Sequence, residues 1–321
     1  PSHRLGRARR VTDAAARYRA HLESAAPPGG LSGLRIVVDA AHGAAYRIAP
    51  QLFAGLGAEV EAIGVSPDGL NINEGCGALH PEPLAARVRE RGADLGIALD
   101  GDGDRLGVVT PSGAIIWPDR QLMLYAADVL SRNPGAEIIY DVKCTRLLAP
   151  WIERHGGRPV IWKTGHSFIK AKLAETGALL AGEMSGHIFF RERWYGFDDG
   201  LYAGARLLEI VSREADPGAA LEALPDAPAT PELNWKLAEG EPLALIARLQ
   251  QAKPFPSARR ILTIDGVRVE YDDGFGLARP SNTTPVVVLR FEADTPQALA
   301  RIQHDFRRAL QAVKPDAALP F

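Results

Sequence analysis

The sequence predicts an α/β protein with two consecutive α/β domains followed by a small α+β domain, and three observations carry this prediction. Over the first two thirds of the chain, buried-strand patterns alternate with helix patterns. A segment rich in proline and alanine, LPDAPATPEL (224–233), then interrupts this alternation and is predicted to be a linker. After it, two strand patterns meet at Asp265–Gly266, which is a hairpin signal, and a third strand precedes the last helix.

The first predicted domain spans residues 1–114. After a basic helical opening and a Pro/Gly cluster at 26–33, the buried strand LRIVVDA (34–40) begins a strand–helix–strand unit. A second helix, ended by Gly92, leads into the strand at 95–99. An aspartate-rich loop follows this strand directly. Open α/β sheets bind their ligands at the carboxyl ends of their strands, so we expect a site there.

The second predicted domain, residues 115–226, repeats the rhythm with the helix PDRQLMLYAADVLSRNPGA and the strand EIIYDV. The third, residues 227–321, is the α+β domain and ends in a helix for which Thr295 is the predicted N-cap and Pro296 the first residue. With 321 residues the chain is long enough for several separate cores.

Composition and charge exclude several classes of partner. The formal net charge is −2, from 37 Lys and Arg against 39 Asp and Glu, so we expect no nucleic-acid or anionic-membrane surface. No run approaches 18 apolar residues, and no apolar segment follows the basic start, which predicts neither a membrane span nor a leader. Cys76 and Cys144 stand in unrelated contexts, which argues against a disulfide framework or a zinc site and favours a reducing, cytoplasmic location.

The loop DGDGDR places three carboxylates, Asp100, Asp102 and Asp104, at alternate positions. They would repel one another unless a cation lay between them, and hard oxygen ligands favour Mg²⁺ or Ca²⁺. An EF-hand is excluded because Arg105 stands where that loop needs glycine and Pro111 where it needs glutamate. A metal beside an arginine indicates phosphate chemistry; the alternative is a solvated acidic turn.

Two further kinds of loop carry candidate chemistry. GEMSGH offers an acceptor, a donor and a titratable group in Glu183, Ser185 and His187, which suits a polyhydroxylated ligand, although an ordinary polar turn is the competing interpretation. Lys143 in YDVKCTR and His166 in WKTGHSF each follow a strand, and either could equally be a surface residue.

A fourth loop, RPSNTTP, resembles a phosphate-monoester site. Its guanidinium is followed by hydroxyl and amide groups and by backbone N–H groups. The alternative is a turn rich in serine and threonine before a strand. The residues concerned are Arg279, Ser281, Asn282, Thr283 and Thr284.

The set DGDGDR, GEMSGH and RPSNTTP, in this order, resembles the α-D-phosphohexomutase superfamily over essentially the whole chain. Residues 94–321 are similar to its bacterial phosphomannomutase/phosphoglucomutase branch. Residues 1–80, with VVDAAHGAAYRIAP and PDGLNINEGCGALHPEP, are closer to the phosphoglucosamine mutase branch. The resemblance implies mixed-sheet α/β domains of the phosphohexomutase type around a central cleft. It also implies a phosphoserine that exchanges its phosphate with a hexose phosphate through a bisphosphorylated sugar.

The resemblance also implies roles for individual residues. Magnesium would be held by Asp100, Asp102 and Asp104. Catalytic roles near the transferring phosphate fall to Arg105, Lys143, His166 and His187, of which His187 is the candidate for proton transfer. Binding of the sugar hydroxyls and of the non-transferring phosphate falls to Arg120, Glu183, Ser185, Arg279, Ser281, Asn282, Thr283 and Thr284.

One family motif is absent from this sequence: the serine loop T-A-S-H-N-P. We therefore expect that the N-terminal phosphoserine domain is missing, that it is a partner of this chain, and that the isolated chain is inactive. Three hypotheses stay open. The chain is part of a mannose or glucose phosphate mutase, part of a phosphoglucosamine mutase, or a non-catalytic protein that binds sugar phosphate and Mg²⁺.

Overall fold

The computed structural model describes residues 6, 8–25, 29–252 and 254–321. The predicted basic start up to residue 5, and residues 26–28 of the Pro/Gly cluster, lie outside the described residues. The chain divides into two compact units. The first consists of Pro1–Ile115 with Gly200–Glu222, and the second of Ile116–Asp199 with Ala223–Phe321.

Helices and strands alternate through most of the chain. The helices are α1 (Ala14–Ala25), α2 (Ile48–Gly55), α3 (Glu82–Arg91), α4 (Pro118–Arg132), α5 (Leu148–Arg154), α6 (His166–Thr176), α7 (Gly200–Val211), α8 (Pro217–Glu222), α9 (Glu241–Ala252) and α10 (Pro296–Val313). The strands are β1 (Arg35–Asp39), β2 (Glu59–Ile63), β3 (Leu95–Leu99), β4 (Leu106–Val109), β5 (Ile115–Ile116), β6 (Glu137–Asp141), β7 (Arg158–Trp162), β8 (Leu180–Gly182), β9 (Ile188–Phe190), β10 (Leu233–Lys236), β11 (Arg260–Leu262), β12 (Val267–Tyr271), β13 (Gly274–Pro280) and β14 (Val286–Ala293). A single 3-10 turn is described at Gly77–Leu79.

The first unit is built on a mixed sheet in the order β2-β1-β3-β4-β5. Strand β1 pairs in parallel with β2 and β3, whereas β4 is antiparallel to β3. Every residue of β3 is buried, as expected of a strand covered on both faces. The loop between β3 and β4 therefore begins at the carboxyl end of a central strand.

Helix α7 belongs to the first unit, although the sequence assigns it to the predicted domain 115–226. All its residues are buried, and it packs against β3 and β4. The backbone N–H of Gly200 donates to the carbonyl of Gly103 at 2.9 Å, which joins the start of α7 to the loop after β3. A buried helix pattern cannot show which sheet covers it. The boundaries at 114/115 and 226/227 stay predictions.

The second unit contains two sheets. Its α/β part has a mixed sheet in the order β7-β6-β8-β9, with β6 parallel to β7 and β8, and β9 antiparallel to β8. Its last part has an antiparallel sheet in the order β10-β14-β13-β12-β11. The predicted fold class, two α/β parts with mixed sheets followed by an α+β part, is confirmed.

The α+β part agrees with the sequence patterns in detail. Strands β11 and β12 pair antiparallel on either side of the predicted hairpin. Thr295 caps α10, since its hydroxyl accepts a hydrogen bond from the N–H of Ala298 at 3.1 Å. The rings of Phe255, Phe291 and Phe306 pack together between the sheet and the helices.

The predicted linker is more ordered than its composition indicates. The carbonyl of Pro228 accepts a hydrogen bond from Ala293 N–H, and the N–H of Thr230 donates to the carbonyl of Phe291, both at 2.9 Å. The segment therefore runs along the edge of β14 as an added strand-like stretch. Among the described residues, no helix is both long enough and apolar enough to cross a bilayer.

Candidate functional site

The acidic loop of the first unit joins β3 to β4. Asp100 is buried, Asp104 is half-buried and Asp102 is exposed. Each can offer a carboxylate oxygen within 4.8 Å of the others. Three hard oxygen ligands at this spacing fit a divalent cation such as Mg²⁺ or Ca²⁺. The predicted candidate metal ligands therefore lie together.

The electrostatics of this loop also favour a cation. Burial, followed by the charges on Asp104 and Asp102, raises the pKa of Asp100. The N–H of Arg105 donates to Asp100 Oδ1 at 3.2 Å, and Arg105 Nε lies 3.3 Å from Asp100 Oδ2, but these contacts do not reverse the shift. A bound cation would favour the ionised form of all three carboxylates.

The backbone around the acidic loop leaves little space. A Cβ atom added at Gly200 would lie 2.7 Å from the carbonyl oxygen of Arg105 and 2.8 Å from that of Gly103. On another side of the loop, the N–H of Ala44 donates to the carbonyl of Gly101 at 2.8 Å. The loop is therefore held by β3, by α7 and by the segment after β1.

In the second unit, the GEMSGH loop joins β8 to β9. His187 Nδ1 lies 2.8 Å from Glu183 Oε2 and 3.1 Å from the hydroxyl of Ser185. Glu183 and His187 are buried, and Ser185 is half-buried. Glu183 Oε1 also accepts a hydrogen bond from the N–H of Gly165. The carboxylate thus joins this loop to the one before α6.

Lys143 lies in the turn after β6, and its Nζ donates to Glu232 Oε2 at 2.8 Å. Burial lowers the pKa of Lys143. The charges of Asp141, Glu232 and Glu183 outweigh that effect, so the net pKa is raised above the usual lysine value. Lys143 is therefore a buried ammonium group over the whole physiological pH range.

His166 is the first residue of α6. Gly165 precedes it with φ of +130°, a backbone conformation that favours glycine. The imidazole of His166 is exposed, and its ring centre lies 6.0 Å from that of His187. Its Nδ1 lies 3.9 Å from Asp198 Oδ2, and Asp198 accepts a hydrogen bond from Lys170 Nζ at 2.9 Å.

Arg279 ends β13 and is buried. Its Nε donates to Asp265 Oδ2 at 2.9 Å, while its buried Nη2 has no hydrogen-bond partner among the described residues. An unpartnered guanidinium nitrogen that is shielded from water needs an acceptor, which a phosphate oxygen would supply.

The residues after Arg279 form a partly exposed turn. The hydroxyl of Ser281 accepts hydrogen bonds from the N–H and hydroxyl of Thr284 and from the N–H of Thr283 at 3.0–3.3 Å. Asn282 Nδ2 donates to the carbonyl of Thr164 at 3.1 Å, so this turn meets the loop before α6.

Arg120 takes a different place from the other predicted residues of this unit. It lies buried in the first turn of α4, where its Nη2 donates to the carbonyl of Leu224 at 2.8 Å and its Nη1 lies 3.4 Å from Asp226 Oδ2. These contacts connect it to the segment between the α/β and α+β parts.

Sequence reasoning missed several residues that hold these loops. Each is a single polar residue in an ordinary context, so no spacing pattern marks it, although Asp141 does lie within the predicted strand EIIYDV, next to its end. The missed residues are Asp141, Thr164, Asp198, Glu232 and Asp265.

Three sequence models of one family match the chain. They are described as phosphoglucomutase/phosphomannomutase α/β/α domain II, α/β/α domain III and C-terminal domain, and they match residues 16–113, 117–227 and 232–309 respectively. Together they cover most of the sequence, and their order is that of the three parts described above.

Individual proteins agree with this match. A phosphomannomutase/phosphoglucomutase of Pseudomonas syringae pv. tomato is 54% identical over 297 residues, which cover 90% of this chain and 63% of that protein. A phosphoglucosamine mutase of Nitratidesulfovibrio vulgaris is 34% identical over 315 residues, which cover 97% of this chain and 67% of that protein. The chain thus spans about two thirds of the length of the relatives it matches.

A solved structure extends the agreement to the fold. The crystal structure of a phosphoglucomutase/phosphomannomutase family protein from Burkholderia thailandensis is 56% identical in sequence, with a TM-score of 0.86. The match covers 96% of this chain and 66% of that chain.

Proposed function

Because this chain belongs to the phosphoglucomutase/phosphomannomutase family of the α-D-phosphohexomutase superfamily, we propose that it is the metal- and sugar-phosphate-binding part of a mutase. The reaction is reversible phosphoryl transfer between the 1- and 6-positions of mannose or glucose phosphate. The observation that carries the proposal is the buried, unpartnered Nη2 of Arg279 beside the Ser-Asn-Thr-Thr turn.

The non-transferring phosphate binds to Arg279 and to Ser281, Asn282, Thr283 and Thr284. The hydrogen bond from Nε to Asp265 holds the guanidinium in one orientation. Binding of a phosphate oxygen by Nη2 therefore costs little further side-chain conformational entropy. The neighbouring turn supplies neutral hydroxyl, amide and N–H donors. This combination favours a doubly charged phosphate monoester over a carboxylate.

The sugar hydroxyls bind to Glu183 and Ser185, and the reacting oxygens lie near Lys143, His166 and His187. Glu183 Oε2 lies 2.8 Å from Nδ1 of His187 and orients the ring, so that the imidazole can give a proton to a departing oxygen or take one back. Lys143, kept cationic by its carboxylate neighbours, stabilises negative charge on the transferring phosphoryl group.

Asp100, Asp102 and Asp104 hold the metal, for which we propose Mg²⁺, and Arg105 contacts the phosphate next to it. When bound, Mg²⁺ neutralises charge on phosphate oxygens. The family resemblance also assigns Arg120 to substrate binding, although its guanidinium is buried here against the carbonyl of Leu224 and the carboxylate of Asp226. The phosphoryl carrier, a serine in the family resemblance, would be supplied from outside this sequence.

The relatives described above favour mannose or glucose phosphate over glucosamine phosphate as the substrate. Identity to the phosphomannomutase/phosphoglucomutase of Pseudomonas syringae is 54%, against 34% to the phosphoglucosamine mutase. The GEMSGH loop, whose chemistry faces the sugar, lies in the part of the chain that is similar to the former branch.

Calorimetry on this chain tests the binding half of the proposal. Mannose 6-phosphate and glucose 6-phosphate should bind, and Arg279→Ala should weaken both about 10-fold to 100-fold through loss of a charge-assisted pair. Arg259→Ala is the matched control, since that side chain is 75% exposed and its ion pair with Asp272 is long, at 3.9 Å. Equal binding by the Arg279 and Arg259 variants would contradict the proposal.

A coupled assay tests the catalytic half. The chain joined to a family phosphoserine domain should convert glucose 1-phosphate to glucose 6-phosphate, detected through glucose-6-phosphate dehydrogenase. Faster turnover of glucosamine 6-phosphate than of mannose 6-phosphate by the same protein would favour the phosphoglucosamine mutase alternative. Binding of sugar phosphates without turnover of either substrate would favour the hypothesis of a non-catalytic binding protein.

A further inference from the structure

The carboxylate of Asp141 lies where three loops of the second unit meet. Asp141 is the last residue of β6 and is completely buried. Its Oδ1 accepts hydrogen bonds from Met184 N–H at 3.2 Å and from Cys144 Sγ at 3.1 Å. Its Oδ2 accepts from the hydroxyl of Thr164 at 2.8 Å.

Each of these partners is close in sequence to a candidate site residue. Cys144 follows Lys143, and Met184 lies between Glu183 and Ser185. Thr164 is two residues before the histidine that begins α6. One carboxylate therefore fixes the separation of the loops that carry the predicted catalytic and sugar-binding groups.

Thr164 extends this network to the phosphate-binding turn. Its N–H donates to Asp265 Oδ2 at 2.9 Å, the same oxygen that accepts from Arg279 Nε. Its carbonyl accepts from Asn282 Nδ2 at 3.1 Å. All three polar groups of Thr164 are thus used to connect Asp141 with the residues proposed to bind phosphate.

Asp141 also supplies negative charge to the turn that carries Lys143. Other charged groups also face this turn: Glu232 and Glu183 lie near Lys143, and Arg268 Nη1 donates to the carbonyls of Val142 and Cys144 at 2.7 Å each. At the far end of the turn, Asp119 accepts from the N–H of Thr145, and Glu292 accepts from the Thr145 hydroxyl and the N–H of Arg146. Burial alone would lower the pKa of Lys143, and the Asp141 charge is the largest of the contributions that raise it. Replacing Asp141 by a neutral group should therefore lower that pKa.

Building on the hexose phosphate function proposed above, we propose that Asp141 is a positioning residue for the phosphoryl-transfer site. It holds the Lys143, His166 and GEMSGH loops in one arrangement and, through Thr164, fixes them relative to Arg279 and Asn282. It makes no contact with substrate itself. If the carboxylate merely closed the turn after β6, its loss would lower the free energy of unfolding but leave glucose 6-phosphate binding by the folded protein unchanged.

The test compares Asp141→Asn with Asp39→Asn. Asn is isosteric with Asp, keeps an acceptor for Met184 and removes the charge. Asp39 is the matched control, because it is also a buried carboxylate at the end of a strand, yet its hydrogen bonds come from the N–H groups of Ala41 and Gly77, in the other unit. Both variants lose a buried charge, and only one lies beside Lys143.

The first measurement is the titration of Lys143 by carbon-13 NMR of labelled lysine. The chain has seven lysines, and Lys143→Arg identifies the signal. We expect the titration to move to lower pH in Asp141→Asn and to stay unchanged in Asp39→Asn. An unchanged Lys143 titration in folded Asp141→Asn would overturn the proposal.

The second measurement is glucose 6-phosphate binding as a function of pH. Asp141→Asn should weaken binding about tenfold near neutral pH and move the alkaline limb of the profile to lower pH. The acid limb, set by the phosphate's own second pKa of about 6, should not move. If the parent chain does not bind the sugar phosphate, the proposed function fails, while the Lys143 titration still tests Asp141.

Thr164→Val and Thr164→Ser keep the proposal testable if Asp141→Asn does not fold. Valine removes the hydroxyl that donates to Asp141, whereas serine keeps it. We expect weaker glucose 6-phosphate binding in Thr164→Val, near-parental binding in Thr164→Ser, and a parental Lys143 titration in both. Parental binding by Thr164→Val would contradict the positioning role.

Discussion

The two α/β parts of the chain share a strand order but differ in the loop that this order presents. In the first, β2-β1-β3-β4 ends with an antiparallel pair joined by DGDGDR; in the second, β7-β6-β8-β9 ends with an antiparallel pair joined by GEMSGH. Each also has a buried aspartate at the end of its first strand, Asp39 or Asp141. One scaffold thus carries two chemistries, and the loop sequence decides which.

The difference lies in how each loop balances its charge. In the acidic loop, the carboxylates face one another, and burial with mutual repulsion raises the pKa of Asp100. In the GEMSGH loop, Glu183 faces His187 and the N–H of Gly165, so each of its carboxylate oxygens has a partner within the protein. The first loop needs a cation from outside, and the second can offer neutral donors and acceptors to a sugar.

The largest expected difference between the two loops is in their affinity for Mg²⁺. Asp100→Asn should weaken Mg²⁺ binding about 100-fold, since the most buried of the three proposed ligands loses its charge. Glu183→Gln, the same change in the topologically equivalent loop, should leave Mg²⁺ affinity unchanged. Calorimetry after treatment with EDTA measures both, and equal losses would show that the two loops do not differ in this way.

Backbone space provides the second distinction. Gly200→Ala should destabilise the protein by about 1–3 kcal/mol and weaken Mg²⁺ binding, because the added methyl group meets the carbonyl oxygens of Arg105 and Gly103. Gly182→Ala, at the start of the other loop, meets the terminal methyl groups of Leu122 and Ile188, which can move. Its effect should stay within about 1 kcal/mol. Urea unfolding of both variants measures the difference.

Sugar recognition gives a smaller effect. Ser185→Ala removes one hydroxyl beside His187 and should weaken glucose 6-phosphate binding about threefold to tenfold, the range for a single neutral hydrogen bond. Binding of inorganic phosphate should not change, because that ligand has no sugar hydroxyl groups. A matching loss for both ligands would assign Ser185 to the phosphate instead.

The smallest effect concerns stability without metal. Burial, then Asp104 and Asp102, raises the pKa of Asp100, so the folded chain binds that proton more tightly than the unfolded chain. The resulting stability is present below the ordinary aspartate pKa and is lost as pH rises through the raised value. At pH 7 in EDTA, Asp100→Asn should therefore raise Tm by about 1–3 °C. Adding Mg²⁺ should reverse the order of the two proteins, and thermal scans with and without the metal test this.

Sequence patterns predicted the position of the acidic loop because it follows a recognisable strand. Strand β3 is a continuous buried run, and the three aspartates come directly after it, so the sequence predicts both the position and the charge of the candidate site. The strand and cap signals at Asp265–Gly266 and Thr295 were equally local. Local signals of this kind depend only on neighbouring residues.

The features that the sequence did not predict depend on contacts between residues that are far apart in the chain. Asp141 is one aspartate among many until Thr164, Cys144 and Met184 fold against it. The helix at Gly200–Val211 has a clear apolar pattern, yet only the folded chain shows that it covers the sheet of the first unit. The composition of the Pro/Ala-rich segment also did not predict its pairing with β14, because backbone hydrogen bonding does not require a strand-like sequence.

That paired segment bears on where the last part of the chain can be cut. Pro228 and Thr230 hydrogen-bond to β14, and Phe291 N–H donates to the Thr230 hydroxyl at 3.1 Å, so a protease must first peel this stretch away from the sheet. A fragment starting at Leu233 would expose the edge of β14 over that length and invite association with other chains. An expressible C-terminal fragment should therefore begin at or before Pro228.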